Sequence, residues 1–166
     1  MEITYRKAER SDIEAVCHLV SCVIAEMERQ NIFQWDSLYP VREDFLEDIK
    51  KGELFLGLEE NQLVTIYTLN QECDEEYKDG NWNCAGGAFY VIHRLCVHPD
   101  YQNRGIGKST LHYIESQVKE KYVNSIRLDV FEGNPFARKL YGNCGYQQVG
   151  YVDWRKGRFL LMEKEL

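Results

Sequence analysis

The sequence predicts an α/β fold, a mixed, mostly antiparallel sheet of six or seven strands flanked by helices on both faces, in a single domain over residues 1–166. Three observations lead there. Short runs of strand character alternate with segments whose apolar residues recur at helical spacing. Turn chemistry between two neighbouring apolar runs marks a hairpin. The chain, 44% apolar and 28% charged with 3 prolines in 166 residues, suits one folded core and excludes disordered, collagenous and low-complexity classes.

The elements follow in order. Ile3 to Arg6 alternates as a short strand, and Ser11 with Glu14 has the spacing of a capping box that opens a helix reaching about Arg29. Apolar residues at 13, 16, 17, 20, 24 and 27 give that helix one core-facing side. Residues 31–40 mix aromatic and polar groups and read as a binding loop or a packed corner, and 41–50 form a short second helix. Strands at 53–58 and 63–69 make the hairpin. The stretch 71–87, acidic and then glycine-rich, reads as a mobile connection to a strand at 88–97. A helix over 105–122, a strand over 125–130, a short helix from Asn134 and closing strands near 146–151 and 159–163 complete the chain.

Composition narrows the function. No segment reaches the roughly 18 apolar residues of a membrane span, and the N-terminus lacks an export signal, so a cytoplasmic protein is expected. The six cysteines, at 17, 22, 73, 84, 96 and 144, never form C-x-x-C, so neither a metal site nor a disulfide framework is expected. Residues 1–83 carry 8 Lys and Arg against 19 Asp and Glu, a balance of −11, whereas 84–166 carry 12 against 8, a balance of +4. The acidic whole argues against nucleic-acid binding, and an anion is expected in the C-terminal half.

The most informative segment runs from Leu95 through Gln102-Asn-Arg-Gly105-Ile-Gly107-Lys108, a strand passing through glycines into a helix. Glycines at 105 and 107 let a ligand approach the backbone, and the free N–H groups of a helix start favour phosphate. The tail Gly107-Lys-Ser-Thr110 imitates the end of a P-loop, but position 102, where that motif needs its first glycine, is Gln. Downstream, Asn134 is a preferred N-cap and Pro135 suits the first helical position, so Ala137, Leu140 and Tyr141 share a face of a helix with a fixed start.

Residues 102–107 resemble the Q/R-x-x-G-x-G/A signature of the GNAT superfamily of acyl-CoA-dependent N-acetyltransferases. A second motif of that family is matched by Asn134-Pro-Phe-Ala137-Arg-Lys-Leu140-Tyr141 ahead of Gly145-Tyr146. With the preceding strand, the likeness covers about residues 88–151. It implies the GNAT fold and acetyl transfer from acetyl-CoA, as cosubstrate, to a primary amine by direct attack in a ternary complex, with no acyl-enzyme and no metal.

The resemblance also implies roles. The pyrophosphate would rest on Asn103, Arg104, Gly105, Gly107 and Lys108, in a cradle that includes Gln102 and Ile106. The pantetheine arm would pair along Leu95, Cys96 and Val97 and meet Asn134 and Ala137. Tyr141 would protonate the departing thiolate. For the base that takes the amine proton, His93 is the first candidate, on the side of Leu95 and Val97 by strand alternation. Asp129, five residues before Asn134, is the second, matching an acidic position in the ribosomal-protein alanine acetyltransferases. A water relay is the third route. Trp35, Asp36 and Tyr39 would border the acceptor, and Arg138 and Lys139 either meet the 3′-phosphate or face solvent. A non-catalytic acyl-CoA-binding sensor is the alternative function. Monomer and homodimer both stay open, and no membrane partner is expected.

Overall fold

The computed structural model describes residues 2–166. Its seven strands are β1 Thr4–Lys7, β2 Leu54–Glu59, β3 Gln62–Asn70, β4 Tyr90–Val97, β5 Ser125–Phe131, β6 Gln147–Trp154 and β7 Gly157–Glu165. Four helices flank them, α1 Ile13–Arg29, α2 Arg42–Lys51, α3 Ile106–Glu120 and α4 Pro135–Asn143. The strands form one mixed sheet in the order β1-β2-β3-β4-β5-β7-β6. Pairing is antiparallel for β1 with β2, β2 with β3, β5 with β7 and β6 with β7, and parallel for β4 with β5. The predicted fold class is the one observed.

The chain divides into two compact units, 1–69 with 94–110, and 70–93 with 111–166. In the first, Ile13, Val16, Leu19, Val20 and Val23 of α1 pack with Phe45 of α2, Leu54 and Leu56 of β2, and Ile66 of β3. Those α1 positions recur every three or four residues, the spacing that places side chains on one helix face. The start of α1 differs from expectation. A 3-10 turn at Arg10–Asp12 precedes it, and the Glu9 N–H donates to Asp12 Oδ2 (2.7 Å), while Glu14 pairs with Arg42 (2.6 Å) instead of closing a box with Ser11. Asp12 wins because its carboxylate also takes both Nη atoms of Arg6 (2.8 Å each). At the β2–β3 hairpin, Glu60 and Asn61 both adopt positive φ, the geometry of a two-residue turn matched to strand twist.

In the second unit, Leu111, Ile114 and Val118 of α3 are fully buried. A separate cluster joins Tyr77, Val91, Val152 and Leu161 with Trp82, Phe89 and Phe159 around it. Tyr77 and Trp82 belong to the stretch 71–87 that reads as mobile, and it is packed instead. It makes a 3-10 turn at Glu75–Asp79, and the rings of Tyr77 and Trp82 stack at 5.5 Å. The N–H groups of Asn83 and Cys84 donate to the Glu163 carboxylate (2.7 and 3.2 Å). Gly150 of β6 permits this approach, since a Cβ there would lie 3.2 Å from the Gly80 Cα. Acidic composition concealed one buried and one half-buried aromatic, whose area outweighs the solvation of their neighbours.

Candidate active site

In the first unit, β4 leads through a turn at Pro99–Tyr101 to Asn103 (φ 60°) and Gly105 (φ 79°), and α3 begins at Ile106. The Ser109 N–H donates to the Gly105 carbonyl (3.0 Å), the first bond of the helix. The N–H groups of Gly105, Ile106, Gly107 and Lys108 therefore have no partner within the helix, and they converge where its dipole is positive. Left-handed residues ahead of a helix start form an anion-binding nest. The space is open, since no heavy atom lies within 4 Å of a Cβ built on Gly105. Buried Ile106 and Thr110 fix the helix start, and the Thr110 hydroxyl is bonded to the Ile106 carbonyl (2.8 Å) and to Tyr5 Oη (3.0 Å).

The other cofactor candidates lie around it. Gln102 Nε2 donates to the Val97 carbonyl (3.1 Å), tying the turn to the strand. Lys108 is exposed, whereas Arg104 lies 3.2 Å from the Glu59 carboxylate and over the Tyr101 ring, so its charge is shared. Leu95 is half-buried, and the Cys96 carbonyl accepts from the Thr65 hydroxyl (2.8 Å). Burial pushes the Cys96 thiol far up, which makes it an inert core group.

In the second unit, Asn134 Oδ1 accepts from the Ala137 N–H (3.1 Å), as its N-cap reading requires, and Pro135 occupies the first helical position. Tyr141 is buried near the end of α4, edge-on to Tyr146 at 5.8 Å. Strands β4 and β5 pair only at Tyr90 with Ile126 and Val91 with Arg127. Two residues beyond the last pair lie His93 on one strand and Asp129 on the other. His93 Nε2 lies 2.8 Å from Asn70 Oδ1 and 3.0 Å from the Glu72 carbonyl. A carbonyl only accepts, so Nε2 carries a proton. The Tyr77 hydroxyl donates to Asp129 Oδ2 (2.6 Å).

One premise of the sequence reading fails. Arg94 adopts a left-handed conformation (φ 52°), which interrupts the pleat, so alternation no longer puts His93 on the side of Leu95 and Val97. Sequence reasoning also missed what Arg94 does. It pairs with buried Asp48 of α2, whose carboxylate accepts from Thr68 (2.7 Å), and its Nη1 donates to Tyr39 Oη (2.9 Å). Residue types gave no signal for this, because the partners are 46 and 55 positions away. Of the acceptor-loop residues, Trp35 is part of the hydrophobic core, and Asp36 Oδ1 accepts from the N–H groups of Leu38 (2.9 Å) and Tyr39 (3.2 Å). Tyr39 is the exposed member. Arg138 and Lys139 line a cavity of about 340 Å³ with Pro135, Gln148, Leu160 and Met162. Among the described residues, no cluster of three or more His, Cys, Asp or Glu is arranged to hold a metal ion, and no helix is long and apolar enough to cross a membrane.

The sequence model of the Acetyltransferase (GNAT) family matches residues 21–146. The chain belongs to this family. A spermine/spermidine N(1)-acetyltransferase of Bacillus subtilis is 31% identical over 125 residues, covering 71% of this chain and 76% of the relative. A GNAT-family acetyltransferase from Streptococcus agalactiae superposes with a TM-score of 0.88 at 24% identity, covering 99% of this chain and 95% of the other. The paiA N-acetyltransferase of Thermoplasma acidophilum, solved with coenzyme A, does so with a TM-score of 0.74 at 20% identity over the whole of both chains. This GNAT chain is accordingly an acetyltransferase, and the seven-stranded sheet is its family's fold.

Proposed function

We propose that this GNAT chain, acting as one N-acetyltransferase domain, transfers the acetyl group of acetyl-CoA to a primary amine by direct attack in a ternary complex. The observation that carries the reading is the cradle ahead of α3, where two left-handed residues and four N–H groups without helical partners border open space. Acetyl-CoA supplies the activated acyl group as a thioester. Residues 102–108 hold its pyrophosphate through backbone N–H groups, with Lys108 adding charge, while Leu95, Cys96 and Val97 offer strand-like pairing to the pantetheine arm and Asn134 and Ala137 contact it. Tyr141, carried on a helix whose start is capped, protonates the thiolate. An alkyl amine with pKa near 10.4 is neutral in only about one molecule in a few thousand at pH 7, so His93 or Asp129, directly or through water, accepts its proton.

The acceptor class we favour is a small polyamine, bordered by the loop that carries Trp35, Asp36 and Tyr39. Two things support this reading, the activity on spermine and spermidine for which the Bacillus subtilis relative is named and the −11 balance of residues 1–83, which attracts a polycation. Six cysteines with no C-x-x-C spacing suit the reducing cytoplasm, where we place the reaction. The test is calorimetric titration with acetyl-CoA beside ATP, followed by transfer of labelled acetyl to spermidine, a monoamine and a free amino acid. Binding of acetyl-CoA alone, with label appearing on spermidine, is the expected result. Binding of ATP instead, or binding of acetyl-CoA without transfer to any amine, overturns the proposal, and the latter outcome describes an acyl-CoA sensor.

A further inference from the structure

Both candidate bases are held by the same stretch of chain. Asn70 Oδ1 and the Glu72 carbonyl accept from His93 Nε2 (2.8 and 3.0 Å), and five residues later Tyr77 Oη donates to Asp129 Oδ2 (2.6 Å). The stretch is itself built in. Trp82 Nε1 donates to the Tyr77 carbonyl (2.6 Å), the Asn81 N–H to the Val149 carbonyl (2.8 Å), and buried Glu163 takes the N–H groups of Asn83 and Cys84. A connection that only had to span two strands would not need a buried phenol aimed at a carboxylate.

We propose that Tyr77 is a positioning residue for acetyl transfer: its hydroxyl keeps Asp129 ionised and oriented, so that Asp129 is the base that takes the amine proton. The proposal rests on the N-acetyltransferase reading. His93 is tied to the stretch as a donor through Nε2, whereas Asp129 is the candidate that receives a donor from it, the Tyr77 hydroxyl. Burial and the Asp129 carboxylate push the Tyr77 phenol well above its ordinary value, so it stays a donor throughout the working range. A hydrogen bond to the charged form favours that form.

Other charged and titratable groups pack around this pairing. On β5 and β7, Arg127 and Glu163 face each other at 3.9 Å, and the guanidinium lies between the rings of Trp82 (4.3 Å) and Phe89 (3.8 Å). From the connection come Asp74 and the thiols of Cys73 and Cys84, which burial pushes up and keeps neutral. Strand β4 adds His93, and β6 adds Val149, Val152 and Trp154 to the packing.

The experiment compares wild type, Tyr77→Phe and Asp129→Asn, using ¹³C NMR titration of the Asp129 carboxyl and the pH dependence of kcat/KM for spermidine. Tyr77→Phe keeps the ring that fills the cluster, and its melting temperature checks that it folds. In Tyr77→Phe the Asp129 midpoint and the acid limb of the rate profile are expected to rise together by roughly one pH unit. KM for acetyl-CoA stays as in wild type, and Asp129→Asn loses the acid limb with most of its rate. An unmoved carboxyl midpoint in Tyr77→Phe, or a moved midpoint with a fixed rate profile, overturns the role of Tyr77 while leaving acetyl transfer standing. A wild-type profile in Asp129→Asn removes Asp129 as base and the positioning role with it. Absence of transfer to any amine overturns the reading on which the proposal rests.

Discussion

At the scale of single residues, the cradle separates two effects of substitution at Gly105. Its φ of 79° is a conformation that a Cβ disfavours, yet the space around it is open. Gly105→Ala is expected to cost about 1 kcal/mol of stability through backbone strain and to leave acetyl-CoA binding within a few fold. Gly105→Glu adds a carboxylate facing the same N–H groups, so its acetyl-CoA affinity falls at least tenfold beyond the alanine variant in calorimetry. Equal losses in both variants would make the position structural only. Tyr141→Phe tests the other half of the chemistry. If Tyr141 is the proposed proton donor, its loss should lower kcat by about 10²-fold with KM for acetyl-CoA nearly unchanged. A normal single-turnover rate in that variant removes Tyr141 from the mechanism.

Elements depend on how their ends are closed, and two ends here make measurable claims. Asn134 caps α4 through the Ala137 N–H, so Asn134→Ala should cost about 1 kcal/mol in urea unfolding. Asp12 closes the turn ahead of α1, and the Arg6 guanidinium bonded to it holds its carboxyl below the ordinary carboxylate range, against the opposing effect of desolvation. A depressed folded-state value stabilises the protein above the unfolded value, about pH 4, and the contribution is lost as pH falls through the folded value. Arg6 is 43% exposed, so solvent screening limits the pair to at most about 1 kcal/mol. Asp12→Asn should therefore lower stability at pH 7 and converge on wild type near pH 2. A constant gap across that range would assign the loss to packing. The same start shows what local pattern hides, because Ser11 and Glu14 have the spacing of a capping box, but Arg6 and the Glu9 N–H draw the bond to Asp12 and Arg42 takes Glu14.

Over the whole molecule, what could be read from the sequence was set by how far apart the partners lie along the chain. The hairpin of β2 and β3, the capped start of α4 and the glycine turn into α3 are closed by neighbours within a few residues, and each is where the pattern puts it. Tyr77 meets Asp129 across 52 positions and Arg94 meets Asp48 across 46, so both pairings escaped, as did the left-handed turn of Arg94 within a strand of ordinary composition. Charge is the long-range property that composition does carry. On the proposed polyamine reading, the −11 of residues 1–83 against the +4 of residues 84–166 supplies the field that draws the acceptor. Salt shortens its reach from about 10 Å at 0.1 M to about 3 Å at 1 M. If the acceptor is a polyamine, kcat/KM for spermidine should fall about tenfold between 0.05 and 0.5 M NaCl. A monoamine, carrying one charge, should show a shallower slope under the same conditions, because the work done by the field scales with the charge moved through it. Parallel slopes for the two amines would mean that the salt acts on acetyl-CoA binding, and the acidic half would then have no part in choosing the acceptor.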